Sequence, residues 1–98
     1  LALLSPYADF NAAVANMGME RNATAMQILQ AMKPDDKVNY LMAILYSRSG
    51  DFQNAVERYL QACKQNSSYV FRGNLDPEIS VLIKTYNLNS QEDDEVFQ

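Results

Sequence analysis

The chain has 98 residues, with eight basic and twelve acidic side chains and no histidine. Residues 1–87 balance at eight acids and eight bases, so the whole net charge of −4 is the run Glu92-Asp93-Asp94-Glu95. A balanced body lacks the positive field that nucleic-acid binding needs, and the missing histidine removes the commonest general base and metal ligand. The single cysteine, Cys63, permits no internal disulfide.

This length makes one small domain with a modest core. Only three glycines and three prolines interrupt a chain rich in Ala, Leu, Met and Gln, a composition that favours helix. No run of about 18 apolar residues exists, so no membrane insertion is expected. Leu1 stands without an initiator Met, which points to a piece of a larger protein.

Residues 1–5 form a short apolar lead-in. Ser5 caps and Pro6 opens a first helix, Pro6–Met19, with Asp9 near its positive end. Phe10, Ala13, Val14 and Met17 follow at helical spacing. A second helix, Asn22–Met32, carries Ala25, Ile28, Leu29 and Met32 on one face. Pro34 stops it, and Asp35 or Asp36 caps the next. The third helix, Asp36–Ser49, presents Ala43 and Tyr46. The fourth, Phe52–Asn66, presents Ala55, Tyr59 and Ala62, with Gly50 closing the turn between them. Tyr69–Leu75 reads as a loop of unusually apolar content, because Gly73 and Asp76-Pro77 postpone the next helix. That helix, Pro77–Tyr86, is capped by Asp76 and buries Ile79, Leu82, Ile83 and Tyr86. Residues 88–98 read as a flexible acidic tail.

No arrangement of catalytic residues survives. Ser/His and Cys/His pairs are impossible, Asp35-Asp36 reads as solvated caps, and no phosphate-binding glycine loop occurs. The chain is therefore expected to be non-enzymatic, with no metal or cofactor. Asn22-Ala23-Thr24 and Asn66-Ser67-Ser68 match the glycosylation triplet but fit better as helix-end polar residues. Cys63 and the five methionines read as core fillers rather than as an adaptable surface. Val96-Phe97 offers an apolar anchor within the tail, whose plainer reading is a solvated terminus.

The small and aromatic residues around Gly50 resemble the tetratricopeptide repeat (TPR), a helix-turn-helix unit of about 34 residues. With Gly50 at the repeat's turn glycine, one copy runs over 36–69. Met42, Ala43, Tyr46, Ala55, Tyr59 and Ala62 then fall on its signature positions. Asn39 stands where the family has Trp and Ser67 where it has Pro, which loosens the packing and lets the fourth helix run on or fray. A degenerate first copy covers 6–33, with Ala12, Ala13, Ala25, Leu29 and Met32 in register and Glu20 in place of the turn glycine. The resemblance implies an all-α fold: two TPR-like antiparallel helix pairs, a fragment of a right-handed α-solenoid, closed by a capping helix over 77–86. The domain then spans 1–87.

The family lines a concave groove with the first helix of each repeat. Carried over, the groove comprises Tyr7, Phe10, Val14, Met17 and Gly18, then Lys37, Tyr40, Ile44, Ser47 and Arg48. The family's chaperone-tail clamp is absent, since its positions hold Phe10, Val14 and Leu41. What the resemblance implies is a protein–protein interaction module whose aromatic and aliphatic groove, rimmed by Lys37 and Arg48, takes a peptide or partner domain. The alternatives are a structural spacer or self-associating homodimer without a dedicated ligand, and a sugar or small ligand on the aromatic groove. Lys37–Leu45 with Phe71–Ile79 also resembles a TPR segment of bacterial cell-envelope proteins, which implies an exported location.

Overall fold

The computed structural model describes residues 6–88, with side chains from Asp9 onward. The expected cap Ser5, the side chain of Tyr7 and the acidic run with Val96-Phe97 lie outside the described residues. Six helices and no strands occupy the described residues: α1 (Pro6–Gly18), α2 (Asn22–Gln30), α3 (Asp36–Arg48), α4 (Phe52–Gln65), α5 (Ser68–Leu75) and α6 (Pro77–Tyr86). None is long and apolar enough to cross a membrane.

The helices pack as successive pairs, α1 with α2, α3 with α4 and α5 with α6, and α3 also meets α2 and α6. α3 is the central element. From Val38 to Leu45 every side chain but Leu41 is buried, so this helix is enclosed on most sides rather than along one stripe. Ala43 on α3 and Ala55 and Ala62 on α4 are fully buried beside Tyr59. Small side chains let the two backbones approach, and the aromatic ring fills the space beside them.

The two leading turns share one geometry. Arg21 N–H donates to the Asn16 carbonyl at 2.8 Å, and Asp51 N–H donates to the Tyr46 carbonyl at 2.9 Å. In each turn the preceding residue is left-handed, Glu20 at φ 60° and Gly50 at φ 84°. Capping follows composition as well. Asp35 accepts from Val38 N–H at 2.9 Å, Asp51 from Asn54 N–H at 3.3 Å, and Asp76 from Glu78 N–H at 3.0 Å.

Three expectations are corrected. Tyr69–Leu75 lies in helix α5, not a loop, so the second helix pair is followed by a third pair rather than by a lone capping helix. Gly73 is no breaker there. It is buried, and a Cβ on it would lie 2.8 Å from the Tyr59 ring, so its missing side chain lets α5 close on α4 and α6. α4 neither runs on nor frays past Ser67. It stops at Gln65, where Asn66 turns extended and its Oδ1 accepts from Ser68 N–H at 3.1 Å, starting α5. Leu88, assigned to the tail, packs against the core, and its N–H donates to the Ile83 carbonyl across left-handed Asn87.

At Asn39, a buried polar network replaces loose packing. The side chain is 1% exposed and donates from Nδ2 to Gln65 Oε1 at 2.8 Å. Its Oδ1 accepts from Arg58 Nη1 at 2.9 Å, and Gln65 Nε2 donates to the Pro34 carbonyl at 3.2 Å. A satisfied amide in this position ties α3 to the middle and the C-terminal end of α4 and fixes their register.

A candidate docking cleft over Tyr40

α1, α3 and the α5–α6 junction enclose a cleft of about 390 Å³. Phe10, Leu41 and Ile44 supply its aliphatic and aromatic wall. Tyr40 and Tyr69, each 5% exposed, lie deepest. Their rings stack with centroids 4.8 Å apart and planes 28° apart, an offset arrangement that favours aromatic pairs. Lys37, Arg72 and Asp76 are the charged residues of the lining.

Asp76 and Arg72 each have a defined setting. Asp76 accepts from the Tyr40 hydroxyl at 2.9 Å through Oδ2 while its Oδ1 caps α6. Burial, and next the bond to Asp76, push the Tyr40 phenol well above its ordinary range. Burial and then the Asp36 charge raise Tyr69 as well. The Arg72 guanidinium sits 5.7 Å from the centre of the Tyr69 ring, within cation–π range.

The cleft thus unites four of the residues carried over from the repeat pattern: Phe10, Lys37, Tyr40 and Ile44. The side chain of Tyr7 lies outside the described residues, and the others lie elsewhere. Val14 is exposed, while Met17 is 7% exposed and belongs to the core. Gly18 is exposed at the end of α1. Ser47 borders a separate hollow with Phe52, Val81 and Leu82.

Arg48 is not a free rim cation. Nε and Nη2 grip both oxygens of Glu78 at 2.7 and 2.8 Å, and Nη1 donates to the Met17 carbonyl at 3.1 Å and to Asn22 Oδ1 at 2.9 Å. The bond to Glu78 raises its already high pKa. One side chain therefore joins α1, α2, α3 and α6. Sequence reasoning also missed Leu41 on α3, and Tyr69, Arg72 and Asp76 at the α5–α6 junction, as cleft residues. The signal for the junction was the apolar content of Tyr69–Leu75, discounted because Gly73 read as a breaker.

A second apolar surface lies on α4 and α6, where Phe52, Leu60, Val81 and Tyr86 are exposed. Glu57 is the only charged residue among those lining its hollows. Both glycosylation-like asparagines are engaged within the fold. Asn22 accepts from Arg48, and Asn66 Nδ2 donates to Asp36 Oδ2 at 3.0 Å, which lowers the Asp36 pKa. Met17 and Met42 are buried, Met26 and Met32 pack against the core, and Met19 is exposed. Among the described residues, no group of His, Cys, Asp and Glu is placed to hold a metal. In comparisons with known proteins, no family model, no curated protein and no solved structure matches this chain.

Proposed function

We propose that this chain is a TPR-like protein–protein interaction module that receives a segment of a partner in the cleft over Tyr40. The observation that carries the reading is the cleft itself. Phe10, Leu41 and Ile44 turn apolar surface into an open concavity walled by consecutive helix pairs. Such a concavity, with apolar walls and a few fixed polar groups, suits a peptide or helix laid across it. The repeat ancestry is supported by the two matching left-handed turns at Glu20 and Gly50 and by the buried alanines at the helix contacts. The narrower resemblance implies a bacterial cell-envelope location, which fractionation of the native host tests.

One observation favours a second reading, a structural spacer or self-associating domain. Phe52, Leu60, Val81 and Tyr86 expose apolar surface on α4 and α6, the kind of patch that neighbours or copies cover. Paired variants separate the two. Leu41→Lys introduces a charge into the cleft and Leu60→Lys into the other surface. Partner retention from native extract lost only with Leu41→Lys supports the module. Loss only with Leu60→Lys, together with a change in sedimentation, supports the spacer.

A further inference from the structure

We propose, resting on the docking-cleft reading above, that the occupant is an acidic segment of a partner protein: a Glu or Asp side chain set beside an apolar or aromatic anchor. Lys37 and Arg72 receive the carboxylate, and Phe10, Leu41 and Ile44 receive the anchor.

The argument is one of charge and shape. Among the described residues the one ion pair is Arg48–Glu78, so neither Lys37 nor Arg72 is neutralised by a paired carboxylate there. Both line the same cleft. Asp36, next to Lys37 in the chain, lies outside the lining and accepts from Asn66 Nδ2; Asp76, the one acid of the lining, has one oxygen taken by the Tyr40 hydroxyl and the other by the Glu78 N–H. It is committed to the floor and to a helix cap. Two cations against one acid leave the lining net positive, within a body of residues 1–87 whose charges sum to zero.

Arg72 lies over the Tyr69 ring. A guanidinium held on an aromatic face keeps in-plane donors that can fork a carboxylate, and the ring limits its freedom in advance. Lys37 adds a second charge from the first turn of α3. Phe10, Leu41 and Ile44, which share the lining with these cations, carry no charge, so an anion alone fills only part of the cleft. An apolar neighbour in the bound segment buries against Phe10 and Leu41. The other apolar surface, with Glu57 and no base in its lining, has no such preference. Charge sign therefore distinguishes the two faces.

The test is a display library of random peptides, flanked at both ends so that none presents a free terminus, selected on the whole 98-residue protein. The expected result is enrichment of Asp or Glu beside Phe, Leu or Tyr. The enriched peptide, synthesised, then binds about tenfold or more weakly to the Lys37→Glu/Arg72→Glu double variant. Selection on that variant, shown to be folded by its thermal melt, enriches Lys or Arg instead. Enrichment without acidic residues, or equal binding to the double variant, overturns the proposal. The cleft reading then stands only if Leu41→Lys abolishes binding. No enrichment, or a peptide indifferent to Leu41→Lys, overturns the cleft reading and the proposal together.

Discussion

The Tyr40 hydroxyl donates to the Asp76 carboxylate at 2.9 Å, joining α3 to the start of α6 across 36 positions of sequence. Asp76 is also the cap of α6, and Tyr40 is also stacked on Tyr69 of α5. The floor of the cleft is therefore part of what holds the third helix pair in place. Its rim is not. Tyr40→Phe should cost about 1 kcal/mol, the net worth of a hydrogen bond whose partner is left behind. Tyr40→Ala should cost about 3–5 kcal/mol through lost burial and a cavity. Urea denaturation checks both, and the second figure makes Tyr40→Ala a folding variant rather than a probe of binding.

The same phenol makes stability sensitive to alkali. Folding raises its pKa, chiefly by burial and then by the bond to Asp76. The unfolded chain therefore loses this proton first, near the ordinary phenol value of about 10. Stability from this group is intact below pH 10 and falls as pH climbs above it. Denaturation midpoints measured between pH 9 and about 11 should decline less steeply in Tyr40→Phe than in the parent.

Arg48 offers a sharper test of how the helix pairs are joined. Its ion pair with Glu78 is partly exposed, with side chains 27% and 40% accessible, and such pairs contribute only about 0–1 kcal/mol. The bonds to the Met17 carbonyl and Asn22 reach the first helix pair and have no substitute. Arg48→Met should therefore destabilise more than Glu78→Gln, by about 1 kcal/mol or more. Hydrogen exchange should quicken in α1 and α2 more than in α4.

Glu20 holds a left-handed backbone that costs a residue with a Cβ about 1–2 kcal/mol. Glu20→Gly should raise stability by about 1 kcal/mol, and Gly50→Ala, at the matching turn, should lower it by a similar amount. Thermal melts of the two variants shifting in opposite directions would meet this expectation. A destabilised Glu20→Gly would show that its charge near Arg48 outweighs its backbone strain.

Gly73 separates packing from propensity. Alanine in its place gains about 1 kcal/mol of helix preference, yet its methyl would meet Tyr59 at 2.8 Å and Ile79 at 3.0 Å. Tyr59 is 1% exposed and cannot swing aside into solvent. Overpacking of this kind costs about 1–3 kcal/mol, so Gly73→Ala should show a net loss in urea denaturation despite lying within a helix.

The helices that announce themselves locally were legible in the sequence. Asp35 and Asp76 are caps within their own turns, and the buried sets of α3 and α4 follow helical spacing. What was not legible depends on distant partners. α5 was hidden because the reason for Gly73 is Tyr59, fourteen positions away. Arg48 read as a rim charge because its partners, Met17, Asn22 and Glu78, are brought together only by the stacking of pairs. The cleft followed the same division. Its α3 residues Lys37, Tyr40 and Ile44 lay on the expected face, while Tyr69 and Arg72 arrived with the helix that the sequence concealed.

The most direct test of the docking cleft is the amide nitrogen–proton spectrum of the protein, recorded with and without the display-selected peptide. The account predicts that shifts concentrate at Phe10, Lys37, Leu41, Ile44 and Arg72. Shifts confined to Phe52, Leu60, Val81 and Tyr86 would contradict it, and would move the interaction surface to α4 and α6.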